Sequence, residues 1–105
     1  MPDVPEIDLS VFGDLVSTRA LRWEAVGASW TLQPRQPTIR SEAVILRVDT
    51  ATRLFELIVR QTGAAELSSG HIETGALQEE HYDVTGELGL RGLLDDLDAA
   101  LDERA

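Results

Sequence analysis

The segment HIETGALQEEHYD, residues 71–83, contains both histidines of the chain, together with three glutamates and one aspartate. If its two ends form neighbouring antiparallel strands joined by the TGALQ turn, His71 lies opposite His81 and Glu73 lies opposite Glu79. The four side chains then share one side of the sheet, and imidazole and carboxylate groups suit Zn, Mn, Fe or Ni. The spacing therefore predicts a divalent metal site at His71, Glu73, Glu79 and His81.

This metal prediction depends on the pairing register of the two strands. A tighter Thr-Gly turn would place His71 opposite Gln78 and His81 opposite Ser68, and the cluster would not form. The alternative interpretation is the solvent-exposed polar face of an amphipathic hairpin, where His and Glu are ordinary residues. The sequence favours this alternative, so we expect no cofactor unless a divalent metal binds at the four residues.

Other spacings that could support catalysis are absent from the chain. Ser68 and Ser69 precede His71, but no strand-turn-helix GxSxG elbow presents either serine as a nucleophile. Glu79 and Glu80 are adjacent, so they would point to opposite faces of a strand rather than form an acid/base pair. We therefore expect a protein without enzymatic activity and keep a small enzyme or metal-binding domain as an alternative.

Charge is distributed very unevenly along the chain. The formal net charge is -10, and residues 66–105 contribute most of it, with eleven acidic residues against two arginines, Arg91 and Arg104. Such a field repels nucleic acids and anionic membranes and attracts basic surfaces. We therefore expect a basic protein partner, no direct binding to nucleic acid and no membrane association.

The chain of 105 residues is short enough for a single domain, and 43% hydrophobic residues suffice for one core. It has no cysteine, no lysine and no asparagine, and this usage is typical of a GC-rich bacterial or phage genome. The apolar runs are far shorter than the ~20 residues that cross a bilayer, and the acidic N-terminus does not resemble a signal peptide. We expect a cytoplasmic protein with one domain at 1–105 and a flexible arm at 1–6.

Hydrophobic periodicity predicts an α+β fold, in which an antiparallel sheet of about four to five strands packs against a C-terminal amphipathic helix. Alternating residues predict strands near 21–33, 42–48, 53–61 and 80–89, with a β-bulge beside Gly27 in the first of them. Two segments are ambiguous. Residues 7–17 fit a strand or a helix, and a helix over 50–62 competes with the favoured strand there.

From residue 91 the period becomes helical, which predicts a helix over 91–103. Its leucines form one apolar stripe, and Asp95, Asp98 and Asp102 form a ridge on another face. We expect this ridge to be exposed and to bind the basic partner. The predicted core contains Trp30, Phe55, Leu57, Leu94 and Leu97.

Three functional hypotheses follow. The first is a small acidic protein-binding module, for example an immunity protein, an antitoxin or a nucleic-acid-mimicking inhibitor that docks on a basic partner. The second is the small metal-binding domain or enzyme that uses the two histidines. The third is a self-associating structural or assembly subunit, which makes a homo-oligomer the expected state. The acidic residues could also serve solubility alone.

Overall fold

The computed structural model describes residues 7–37 and 42–102, so the arm expected at 1–6 lies outside the described residues. For residues 34–37 and 102 only the backbone is described. The elements in chain order are α1 (Leu9–Ala25), β1 (Ser29–Pro37), β2 (Glu42–Asp49), β3 (Arg53–Arg60), β4 (Ala64–His71), β5 (Leu77–Asp83) and α2 (Gly86–Asp102). The strands form one antiparallel sheet in the order β1-β2-β3-β4-β5. The predicted α+β class is confirmed.

Helix α1 occupies the ambiguous segment and extends beyond it. Asp8 caps its N-terminus by accepting a 2.9 Å hydrogen bond from the Ser10 backbone N–H. Its buried residues recur every three or four positions and end with Trp23. The strand predicted at 21–33 is therefore wrong for residues 21–28, because β1 begins only at Ser29. Leu21 and Trp23 alternate by coincidence, and Trp23 continues the helical stripe.

Gly27 ends this helix and does not form the predicted β-bulge. Its φ of 85° lies in the left-handed region that glycine adopts readily. The next N–H, that of Ala28, donates a 3.0 Å hydrogen bond to the Trp23 carbonyl, as at many helix C-termini. The irregularity of β1 lies further on, between Gln33 and Gln36.

The hairpin of β2 and β3 confirms the favoured interpretation of residues 50–62. Its strands pair in continuous register, with Val48 opposite Phe55 and Leu46 opposite Leu57. At the turn, the Thr50 hydroxyl accepts a 3.0 Å hydrogen bond from the Arg53 backbone N–H. The rival helix over 50–62 does not form.

Helix α2 begins at Gly86, earlier than predicted, and the strand predicted over 80–89 ends at Asp83. Leu90 and Leu97 are buried at helical spacing, whereas Leu88 is 84% exposed. The alternation of apolar residues from Val84 to Leu90 does not reflect a strand. Leu90 belongs to the apolar stripe of α2.

Both helices contribute to one hydrophobic core with the same side of the sheet. Phe55, Leu57, Leu94 and Leu97 are buried as predicted, and Trp30 is partly buried against the core. Within residues 7–37 and 42–102, neither helix has the length and apolar composition needed to cross a membrane.

The sheet consequently has two different faces. Alternation directs Phe55 and Leu57 into the core, on what we call the inner face, and directs Leu54 and Glu56 to the opposite, open face. No helix of the described residues contributes core contacts to the open face.

Candidate functional site

The two histidines lie on opposite faces of the sheet. In the observed β4–β5 register, His81 lies opposite Glu66, and the His71 N–H donates a 2.9 Å hydrogen bond to the Ala76 carbonyl. His71 also pairs with buried Arg53 of β3, which places it on the inner face. The register expected for the metal site, with His71 opposite His81, is wrong, and the tighter alternative is wrong as well. The observed β4–β5 register differs from the expected one by an odd number of residues. The two imidazoles therefore lie on opposite faces of the sheet instead of sharing one face.

The remaining members of the predicted metal set are also separated. Glu79 lies opposite Ser68 on the open face, and its carboxylate is 3.2 Å from the exposed Nε2 of His81. Glu73 lies in the β4–β5 turn, beyond the end of β4. Residues 7–37 and 42–102 contain no group of three or more side chains able to hold a metal ion. These four residues therefore do not assemble the expected geometry. Metal binding itself stays a prediction.

The acidic ridge expected on α2 is divided between a buried and an exposed position. Asp98 is only 7% exposed, so the expectation that it faces solvent is wrong. Its carboxylate accepts hydrogen bonds from the indole of Trp23 at 2.6 Å and from Arg19 at 2.7 Å, both on α1. Asp95 is exposed and pairs with the same arginine at 2.8 Å. The side chain of Asp102 lies outside the described residues.

Asp98 therefore joins the two helices, and a partner could not reach it on the folded protein. The sequence spacing of the aspartates correctly indicated one helical face. At Asp98 that face is covered by α1, whose Arg19, Arg22 and Trp23 recur at helical spacing and donate to the Asp98 carboxylate. Only the tertiary structure reveals this packing, because the basic residues precede Asp98 by more than 70 positions.

A concave surface lies on the open face. Cross-strand pairing aligns Leu54 of β3 with Gly70 of β4 and Leu77 of β5, and in the next row Glu56 with Ser68 and Glu79. We call these six residues the open-face trough: Leu54, Glu56, Ser68, Gly70, Leu77 and Glu79. All of them except Gly70 line, together with residues of β2, a cavity of about 640 Å³, a volume ordinary for a binding site.

Small side chains on β4 create the depression. Gly70 and Ser68 occupy the middle strand, while leucine and glutamate side chains of β3 and β5 form the two sides. A Cβ atom added at Gly70 would lie 3.0 Å from the Leu77 Cδ2, so the leucine leans over the glycine. The depth of the trough therefore depends on the absence of a side chain at position 70.

The open-face trough is both apolar and acidic. Leu77 is 83% exposed and Leu54 is 49% exposed. The Arg47 Nε donates a 2.9 Å hydrogen bond to Glu56 across β2 and β3, which neutralises one carboxylate locally. By register, the described open face has five carboxylates and two arginines: Asp49, Glu56, Glu66, Glu79 and Asp83, with Arg47 and Arg60. Negative charge therefore predominates around the exposed leucines.

Of the six residues of the open-face trough, only Glu79 was among the predicted site residues. A signal was nevertheless present in the segment LSSGH, where Ser68 and Gly70 are small residues at alternate positions of a strand. Such residues weaken a strand unless another group approaches closely, so they could have indicated a depression. The neighbouring leucines could not be assigned to the trough without the register.

No family model matches the sequence, and neither the curated proteins nor the solved structures give a significant match.

Proposed function

We propose that this protein is a protein-binding module whose open-face trough takes a basic, amphipathic segment of a partner protein. The observation that carries the proposal is the position of Leu54 and Leu77 beside carboxylates, on a sheet face to which no described helix contributes core contacts. The proposal moves the expected partner surface from α2 to the sheet.

The apolar part of the argument comes from the two leucines. Single exposed leucines are normal on protein surfaces, but these two lie in one cross-strand row on either side of a glycine. Grouped apolar side chains bordered by polar ones are typical of interaction sites. A partner that places an apolar side chain against Leu54 and Leu77 would remove both leucines from water.

The negative charge of the open face favours a basic partner. Five carboxylates against two arginines favour a segment that carries Lys or Arg beside its apolar residues. A second copy of the same face would bring like charges together, so the surface favours a different protein over self-association. The net charge of -10 would also accelerate the encounter with a basic partner.

This surface supports the first of the three hypotheses, a module that docks on a basic protein such as a nucleic-acid-binding toxin. The immunity-protein and antitoxin roles, the bacterial origin and the cytoplasmic location belong to that proposal. The immunity-protein and antitoxin roles both require a partner with a basic surface. A basic peptide can represent such a surface in a binding experiment.

A peptide titration tests the proposal directly. The probe is a short peptide that alternates leucine and arginine, and its matched control replaces every arginine with glutamate. We expect the basic peptide to bind, its affinity to fall with rising salt, and its amide shift changes to centre on Glu56, Ser68 and Leu77. Equal binding of the acidic peptide, or shift changes confined to the helices, would contradict the proposal.

A pair of leucine variants localises the site. Leu77 and Leu88 are 83% and 84% exposed, but Leu88 lies on α2, away from the trough. We expect Leu77→Ser to weaken binding of the basic peptide about tenfold and Leu88→Ser to leave it unchanged, because only the former removes apolar area from the site. The same pair should discriminate any partner isolated from the native host. Equal losses in both variants would show that binding is nonspecific.

A further inference from the structure

The inner face of the sheet carries polar residues at one end, where its alternation predicts apolar ones. Arg53, Ser69, Gln78 and Glu80 all point to the side that holds the core. Together with residues of α2 they line a cavity of about 320 Å³ between that helix and strands β3 to β5. We call it the inner cleft, defined by Arg53, Phe55, Leu67, Glu80, Tyr82 and Asp96. Departures from the core pattern of this kind concentrate at functional sites.

One end of the inner cleft is acidic. The Tyr82 hydroxyl donates a 2.9 Å hydrogen bond to the Glu80 carboxylate, and Asp96 of α2 also acts on this phenol. Burial, followed by the influence of Glu80 and Asp96, raises the pKa of Tyr82 well above its ordinary value. A phenol has one proton to donate, so it cannot satisfy two carboxylates. This end therefore favours a ligand group with several donors and a positive charge.

The other end of the inner cleft is basic. Arg53 is only 8% exposed, its guanidinium lies 4.9 Å from the centre of the Phe55 ring, and its Nη1 donates a 3.1 Å hydrogen bond to the Ala100 carbonyl. The buried Nε of Arg53 has no hydrogen-bond partner among the described residues. A buried guanidinium that retains an unsatisfied donor favours an anionic ligand group nearby.

On the side of the cleft formed by α2, the helical rise gives the spacing of the contacts. Arg53 contacts the carbonyl of Ala100, and Asp96 lies one helical turn earlier. Four residues of an α-helix advance by ~6 Å. Between the two ends the floor is apolar, because Phe55 and Leu67 are buried there.

We propose that the inner cleft binds a small zwitterion whose charges are separated by about one helical turn, of the ω-amino carboxylic acid class. Its ammonium group lies between Glu80 and Asp96, its carboxylate faces Arg53, and its methylene chain contacts Phe55 and Leu67. This site is on the opposite face from the open-face trough, so it goes beyond the proposed function and does not depend on it.

Three matched probes test the chemistry by isothermal calorimetry. They are 5-aminopentanoate, pentylamine, which lacks the carboxylate, and pentanoate, which lacks the ammonium. We expect saturable binding of 5-aminopentanoate and at least tenfold weaker binding of the other two, because each loses one charge-assisted contact. Absence of saturable binding by 5-aminopentanoate would overturn the proposal. Equal binding of pentylamine would overturn the role of Arg53.

Two adjacent glutamates provide the matched variants, because their side chains lie on opposite faces. Glu80→Gln removes one carboxylate from the inner cleft, and Glu79→Gln removes the same charge from the open face. We expect about tenfold weaker binding of 5-aminopentanoate by the former variant and unchanged binding by the latter. Equal responses would show that the ligand recognises only the overall charge.

Tyr82 supplies an independent readout of the same site. It is the only tyrosine of the chain, so its aromatic-ring signals in NMR spectra report on it alone. A bound ammonium between Glu80 and Asp96 should shift these signals at neutral pH, where 5-aminopentanoate carries both of its charges. Unchanged Tyr82 ring signals at saturating 5-aminopentanoate would place the ligand elsewhere and overturn the site.

Discussion

The carboxylate of Asp98 in α2 accepts a 2.6 Å hydrogen bond from the indole nitrogen of Trp23 in α1. Both residues are buried, and Arg19 donates to the same carboxylate at 2.7 Å. This contact fixes the two helices to each other on the inner face of the sheet. Both helices therefore pack on the inner face, and the open face stays accessible.

Loss of this buried carboxylate should be costly. We expect Asp98→Ala to reduce the free energy of unfolding by ~3 kcal/mol or more, because it leaves the buried indole N–H of Trp23 unpaired and removes the buried partner of Arg19. Asp95→Ala, which removes an exposed carboxylate paired with the same arginine, should cost less than ~1 kcal/mol. Urea denaturation followed by tryptophan fluorescence measures both. Equal costs would mean that burial of Asp98 does not matter.

The core of α2 can be tested with two leucines. Leu97→Ala should cost ~2 to 5 kcal/mol, because it removes a fully buried side chain and leaves a cavity. Leu88→Ala should change stability by less than ~0.5 kcal/mol, because this side chain is 84% exposed. Thermal and urea unfolding provide the measurement. A loss below ~0.5 kcal/mol for Leu97→Ala would contradict the packing of α2.

Gly70→Ala should separate folding from binding. The backbone at Gly70 does not have a positive φ, so alanine is compatible with it, and the only tight contact is with the flexible end of Leu77. We expect stability within ~1 kcal/mol of the wild type and weaker binding of the basic peptide, because the methyl group displaces Leu77 and makes the trough shallower. Unaltered peptide affinity in a folded variant would argue against the trough as the site.

Alkaline titration of the folded protein should follow the raised pKa of Tyr82. A group whose pKa is raised on folding stabilises the protein below its unfolded pKa and loses that contribution as the pH rises. Stability should therefore decline above a pH of ~10, the ordinary phenol value, and Tyr82→Phe should reduce this decline. The absence of lysine and cysteine simplifies the measurement. A Tyr82 pKa at the ordinary phenol value in the native protein would contradict the burial of this phenol beside Glu80 and Asp96.

The separation of the histidines makes a prediction about metals. Because His71 and His81 lie on opposite faces, His71→Ala and His81→Ala should not abolish the same metal response. Thermal shift measurements with Zn²⁺, Mn²⁺ and Ni²⁺ on both variants provide the check. A shift that disappears equally in each single variant would show that one ion contacts both side chains.

Local patterns correctly predicted two parts of the fold, although a helix over 50–62 competed with the first of them. The β2–β3 hairpin followed from alternation at Phe55 and Leu57, and the stripe of Leu94 and Leu97 predicted the C-terminal helix. Alternation failed over residues 21–25, because a short stretch can satisfy both periods. There the helix signals, Asp8 at the N-cap and Gly27 after the C-terminus, were the better guide.

The α+β class, most of the core residues and the excess of negative charge can be inferred from the amino-acid sequence. The positions of the charges and of the candidate sites depend on tertiary contacts. The β4–β5 register places His71 and His81 on opposite faces. A register shift by an odd number of residues moves every side chain of a strand to the other face of the sheet. Packing of α1 on α2 buried Asp98, because its partners are distant in sequence. Pairing of β3, β4 and β5 likewise brought Leu54 and Leu77 to the two sides of Gly70. Long-range pairing is a property of the whole folded chain, so local periodicity carries no information about it.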